Sequence, residues 1–267
     1  MFSKSDIAHV IRKIRWTTVL LIGSGIVLLV FFSSIALAPG NRSREFQEMV
    51  NADSLFTQSF DSLHFHPEMQ ALIKEKAYKE SLLKLSQSDS IQLVIDLTDS
   101  IVGLSIKGVS IHQTRIREFS KDKFLERLPL MHEIKLLSEP LQVRHIYATI
   151  VKEPVVVRHA PKDTLEAAMN AWQPDTLIQN PAFVSFLTEY GLQIILEQDQ
   201  NDHFRDHWKK SVFYSHLSAR RTIRATENFL TFSAQEYQPL ITVKMPVDAL
   251  RAVYRALPDN TLIVLRL

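Results

Sequence analysis

The residues with the most chemical potential in this chain lie between Asp202 and Arg224. His203 and His207 stand four apart in a stretch that reads as helix, beside Asp202 and Asp206, with His216 further along. Two histidines at that spacing share a helix face and could hold one metal ion. The pattern lacks the intervening glutamate of the zinc-protease motif, and spacing fixes no third ligand, so a solvated polar face is the simpler reading. Lys209, Lys210, Arg220, Arg221 and Arg224 give the same helix a positive bias. That bias is either an ordinary solvated face or a docking surface for an acidic partner or an anionic wall polymer. Elsewhere the polar residues are scattered. His64-x-His66 reads as a loop cap, there is no Gly-x-Ser-x-Gly elbow, and neither Ser215-His216 nor Asp96 with Asp99 places a triad or a carboxylate pair.

Composition removes several chemistries. Cysteine is absent, which excludes thiol catalysis, cysteine metal sites and disulfide staples. Six glycines in 267 residues provide no phosphate cradle or dinucleotide fingerprint. The net charge of +2 comes from interspersed acids and bases, not from the clustered basic face of a nucleic-acid binder. No cofactor is expected.

The element that positions everything else is the uncharged run Thr17–Ala38. As a helix it would extend roughly 33 Å, enough to cross a hydrocarbon core of about 30 Å. Ala36-Leu37-Ala38 resembles a signal-peptidase site, but the apolar run is longer than a signal core and Pro39 is a poor residue to cut before. An uncleaved signal anchor is therefore expected. Lys4, Arg12, Lys13 and Arg15 precede the run and only Arg42 and Arg44 closely follow it, which places residues 1–16 in the cytoplasm and the rest on the far side.

Residues 39–89 read as a helical juxtamembrane stalk. Phe46, Met49, Phe56, Phe60 and Leu63 form one stripe from Ser43 to Leu63. His64 to Pro67 break it, and a charged second helix runs to about Leu85, with Met69, Leu72, Ile73, Leu82 and Leu83 to bury. A folded domain over 90–267 follows. Ile91–Leu97, Ile101–Lys107 and Val109–Ile116 form a meander with tight turns at Thr98–Ser100 and Lys107-Gly108. Leu141–Val151 and Pro154–Arg158 read as strands, 161–172 as a helix and 173–180 as a loop. Phe183–Leu187 and Leu192–Gln198 read as a hairpin about Glu189–Gly191. A long helix is expected from Asp202 to about Ala225, with Phe204, Trp208, Phe213 and Leu217 as its apolar face. Strands at Phe229–Phe232 and Leu240–Lys244, a helix at Val247–Ala256 and a last strand at Thr261–Leu267 close the chain.

Two stretches carry a resemblance. IQLVIDLTDSIVGLSIKGVSIHQTRI at the domain's start and VKMPVDALRAVYRALPDNTLIVLRL at its end are similar to the ends of the L,D-transpeptidase (YkuD-type) catalytic domain. That family's reaction uses a Ser/Thr-His-Gly-Cys-x-Arg motif. On this chain the resemblance puts Leu240 at the histidine, Ile241 at the glycine, Thr242 at the cysteine and Lys244 at the arginine. A threonine hydroxyl between Ile241 and Val243 has no neighbouring base to activate it. The resemblance therefore implies a degenerate, non-catalytic domain in the cell envelope.

The expectation is an α+β protein with a transmembrane helix, a helical stalk and a mainly β exported domain with peripheral helices. It would sit in the inner membrane with its bulk in the periplasm, as a non-enzymatic scaffold or accessory subunit that binds a protein partner or peptidoglycan and no nucleic acid. The alternative is an envelope hydrolase or transferase with an unrecognised active site.

Overall fold

The computed structural model of the chain describes residues 4–52, 66–152, 181–200 and 203–267. The chain divides into two compact units, one of residues 1–49 with 218–237 and one of 50–217 with 238–267.

In the first unit, α1 (Lys4–Ala52) is a single helix of 49 residues. It runs straight through Pro39, although the missing proline N–H leaves one i−4 carbonyl without its helical donor. The helix expected from Ser43 is, as far as Ala52, a continuation of the helix that holds the apolar run. Within α1 lies the one stretch, among the described residues, long and apolar enough to cross a membrane. Its hydroxyls are satisfied locally, Ser24 on the Leu21 carbonyl, Ser33 on Leu29 and Ser34 on Phe31. Phe46 is buried beneath the Arg42 guanidinium, which stands 4.9 Å from its ring centre. Phe56, Phe60, Leu63 and His64 lie outside the described residues, as do the strand expected at 154–158, the helix at 161–172 and the loop at 173–180.

The second unit is built on a nine-stranded sheet. Its strands are β1 (Gln92–Asp96), β2 (Ile101–Ile106), β3 (Val109–Arg115), β4 (Glu118–Lys121), β5 (Leu141–Ala148), β6 (Phe183–Thr188), β7 (Gln193–Gln198), β8 (Leu240–Met245) and β9 (Leu262–Arg266). The spatial order is β3-β2-β1-β9-β5-β6-β7-β8-β4. The expected meander forms β3-β2-β1, and the last strand, β9, lies parallel beside β1. β5 joins the two halves. Leu141 and Gln142 pair with β9, and Val143 to Ala148 pair with β6, with a register shift between Val143 and His145.

Helices cover this sheet. α2 (Pro67–Leu85) starts with Pro67 in its first turn, where no N–H is needed. Its buried residues are Ala77, Tyr78, Ser81 and Leu85, whereas Met69, Leu72 and Leu83, expected inside, are exposed. The reason is tertiary: Tyr78 and Leu85 pack with Val264, Val94 and Leu262, which selects a different stripe from the one with the most large apolar residues. The short α3 (Lys123–Glu126), capped by Asp122, and α4 (Leu130–Leu137) follow, and α4 packs against α2. α5 (Phe204–Leu230) crosses the boundary between the units. In its first half Phe213 and Leu217 are buried against Phe183 and Ile195, with Tyr147, Tyr214 and Leu240 around them. Burying a side chain such as Phe213 is worth about 1.5–3 kcal/mol. Phe204 and Trp208, expected on that face, are exposed. α6 (Val247–Ala256) matches its expected bounds and packs against β7, burying Leu250, Val253 and Tyr254. β7 is consequently buried at every residue.

The strand expected at Phe229–Phe232 is corrected. α5 continues to Leu230 and closes with Ser233 N–H donating to the Asn228 carbonyl and Phe232 N–H to that of Phe229. Phe232 takes φ +52 there. This is a left-handed helix terminus, usually a glycine position.

Candidate functional site

β8 carries all four positions assigned by the transpeptidase resemblance. Alternation decides their environment: Ile241, Val243 and Met245 are buried, while Leu240, Thr242 and Lys244 are half-buried on the opposite face. Leu240 belongs to the apolar cluster around Phe213. Thr242 stands in register with Ile195 of β7 and Ser120 of β4.

Lys244 is where polar chemistry gathers. It is paired in register with Glu118 of β4 on one side and with Glu197 of β7 on the other. Its Nζ lies 2.6 Å from Glu118 Oε2, a hydrogen bond that raises the lysine's pKa against the opposing cost of desolvation, with the Glu118 and Glu197 charges adding to the rise. Glu197 is almost fully buried, and Lys210 from α5 reaches it with Nζ 2.7 Å from Oε2. That contact is an ion pair and lacks the alignment of a hydrogen bond. Lys210 also lies 5.8 Å from the Tyr214 ring centre. The row Glu118–Lys244–Glu197–Lys210 thus alternates in sign across β4, β8, β7 and α5. Beside it Arg117 Nε stands 3.7 Å from Asp199, while the Arg117 and Asp199 amides donate to the carbonyls of Lys244 and Met245. Opposite charges facing each other across neighbouring strands stabilise their pairing.

No family model, no curated protein and no solved structure matches the chain.

The other residues singled out in the sequence are dispersed. His203 and His207 are both exposed at the start of α5. Between them Asp206 is buried, and its carboxylate accepts from the His203 amide at 3.4 Å, which is helix-start chemistry. Among the described residues no group of three or more His, Asp or Glu forms a metal-ligating set; Asp202 lies outside them. His216 is stacked on Tyr147, ring centres 4.1 Å apart. Lys209 and Lys210 belong to the half of α5 in the sheet unit, and Arg220, Arg221 and Arg224 to the half grouped with α1. Lys210 is already engaged with Glu197.

A second polar group lies at the ends of β1 and β9. Arg266 Nη1 is 3.0 Å from both Asp96 and Asp99, and its guanidinium lies over the Tyr78 ring. Burial, with the Asp96 charge next, pushes the Tyr78 phenol up to about 12. This group ties α2 to the sheet.

Two features carried no motif. The pairing of Glu118 with Lys244 and of Glu197 with Lys210 is one, although an acid inside the apolar run of β7 is itself a signal that a cation stands against it. The other is the edge strand β3, at one end of the sheet. Every residue of it but Thr114 is exposed, including Val109 at 64% and Ile111 at 50%. Among the described residues it pairs only with β2, so its outer backbone groups are open for another strand.

Proposed function

We propose that this chain is a single-pass accessory protein of the cell envelope, anchored in the inner membrane by α1, whose sheet domain binds a protein partner and performs no catalysis. The observation that carries the reading is the open edge of β3. A seven-residue strand with Val109 and Ile111 exposed can accept an extended segment of a partner, whose backbone supplies affinity and whose side chains meet those two residues. The positions equivalent to a transpeptidase motif support binding over reaction. Leu240 is packed, Lys244 is committed to Glu118, and Thr242 has Ile195 and Ser120 as register neighbours. The two patches that resemble that family meet where β1 pairs with β9, so the proposal keeps the resemblance as one of fold without reaction.

The test is purification of the full-length protein from its native membranes in mild detergent. A stoichiometric protein partner is expected, retained by Thr242→Ala and lost with Ile111→Lys. Ile111→Lys itself should alter stability by no more than about 0.5 kcal/mol, because the residue is half exposed. A solitary protein, or a partner indifferent to Ile111→Lys, would overturn binding at this edge. Loss of activity in a folded Thr242→Ala protein would instead reinstate an enzyme.

A further inference from the structure

The unit made of α1 and the end of α5 finishes in an apolar tip. The Phe229 ring meets that of Phe31 edge-on, centres 5.3 Å apart. Phe31 stands seven residues before Ala38, so the contact lies roughly 10 Å inside the end of the apolar run at about 1.5 Å per residue. Just beyond it Leu230 is 70% exposed and Phe232 is 96% exposed. The chain then turns back, and Ser233, Ala234 and Gln235 line a cleft with Ser34, Leu37, Gly40, Asn41 and Arg44 of α1. The turn is closed by Gln235 Nε2 donating to the Ala225 carbonyl at 2.9 Å.

Two observations at Phe232 point the same way. Its φ of +52 is a conformation that glycine or asparagine adopts at less cost. Its aromatic ring, almost fully exposed, gains nothing from water. Keeping a phenylalanine at such a position, with its ring exposed, becomes sensible if the solvent at this level is hydrocarbon, as the Phe31 contact requires once α1 spans a bilayer. Of the charged residues before the tip, Glu227 stands two residues from Phe229 and is exposed, and the basic ones stand further back. Arg224, Arg221 and Arg220 lie five, eight and nine residues before Phe229, roughly 8 to 14 Å back along the helix, at the depth where guanidinium groups meet lipid headgroups.

We propose that the tip Phe229–Phe232 inserts into the lipid beside α1, in the leaflet on the side of the folded domain. The unit then holds the membrane by a spanning helix and a re-entrant wedge. The inference rests on the reading of α1 as a membrane span. Because the chain has no cysteine, each position can be probed by one introduced thiol. The full-length protein would carry an environment-sensitive NBD label at Phe232→Cys, Leu230→Cys, Leu29→Cys or Val109→Cys, in phosphatidylcholine/phosphatidylglycerol vesicles with iodide on both sides. Labels at 230 and 232 are expected to emit to the blue of the label at 109. Doxyl-lipids should quench them and iodide should not. If they are quenched by iodide while the label at 29 is quenched by lipid, the tip is in water and the inference is overturned with the span intact. If the label at 29 is itself open to iodide, the span reading falls and the wedge with it.

Discussion

At the scale of single residues, burial decides which member of the charge row matters. Glu197 is enclosed and relies on Lys210, whereas Glu118, the partner of Lys244, is largely exposed. Exposed pairs contribute about 0–1 kcal/mol, while a buried carboxylate stripped of its cation keeps its desolvation cost. Lys210→Met is therefore expected to destabilise the sheet unit by about 1–3 kcal/mol. Lys244→Met, in contrast, should cost no more than about 1 kcal/mol. Thermal unfolding of the two variants in the same detergent would compare them, and equal losses would show that Glu197 does not depend on Lys210. The histidine pair illustrates the reverse limit of residue reasoning. His203 and His207 have metal-ligand spacing, but Asp206 between them is turned inward to the helix start. Spacing along a helix cannot tell which of its residues the fold will spend on capping.

At the scale of elements, the β2–β3 hairpin sets the edge on which the binding proposal depends. Its two turn residues, Lys107 and Gly108, have φ of +50 and +78, the backbone hand that matches twisted antiparallel strands. A Cβ added at Gly108 would stand 2.9 Å from the Ser86 Cβ at the end of α2. Gly108→Ala thus meets both backbone strain and a clash with a neighbouring element. An expected loss of about 1–2 kcal/mol follows, readable as a lower unfolding midpoint. Partner capture at β3 should weaken alongside it, and an unchanged midpoint would mean that the turn has slack. The turn was legible as Lys-Gly between two β-branched runs. The Ser86 contact was not, because it joins residues from different elements.

At the scale of the whole molecule, the proposal places the cytoplasm on one side of α1 and the sheet unit on the other. The basic excess before the span predicts this orientation. Val109→Cys, exposed on the edge strand, should react with a membrane-impermeant maleimide in intact spheroplasts, and Ser3→Cys only after lysis. The reverse pattern would invert the topology and remove the envelope assignment.

Much of this architecture follows from local order in the chain. An uncharged run longer than a bilayer core, alternating β-branched strands around two tight turns, and a ten-residue amphipathic stretch after Pro246 each carry their own period, so α1, the meander and α6 emerge from sequence alone. Tertiary structure decided what local period leaves open. α1 continues through Pro39 although a proline in a helix interior costs about 3 kcal/mol, so the helix there is held by more than its own backbone preference. α2 buries Tyr78 and Leu85 in place of Leu72 and Leu83 because β9 offers Val264 and Leu262 to that face. The Phe229–Phe232 segment looks like a strand by composition, but α5 was already a helix and Phe232 serves as its terminus. The parallel pairings β7–β8, which sets Glu197 beside Lys244, and β1–β9, which joins the β3-β2-β1 meander to the rest of the sheet, connect residues more than forty positions apart. A period of two residues specifies a strand's faces; only the complete sheet specifies its neighbours.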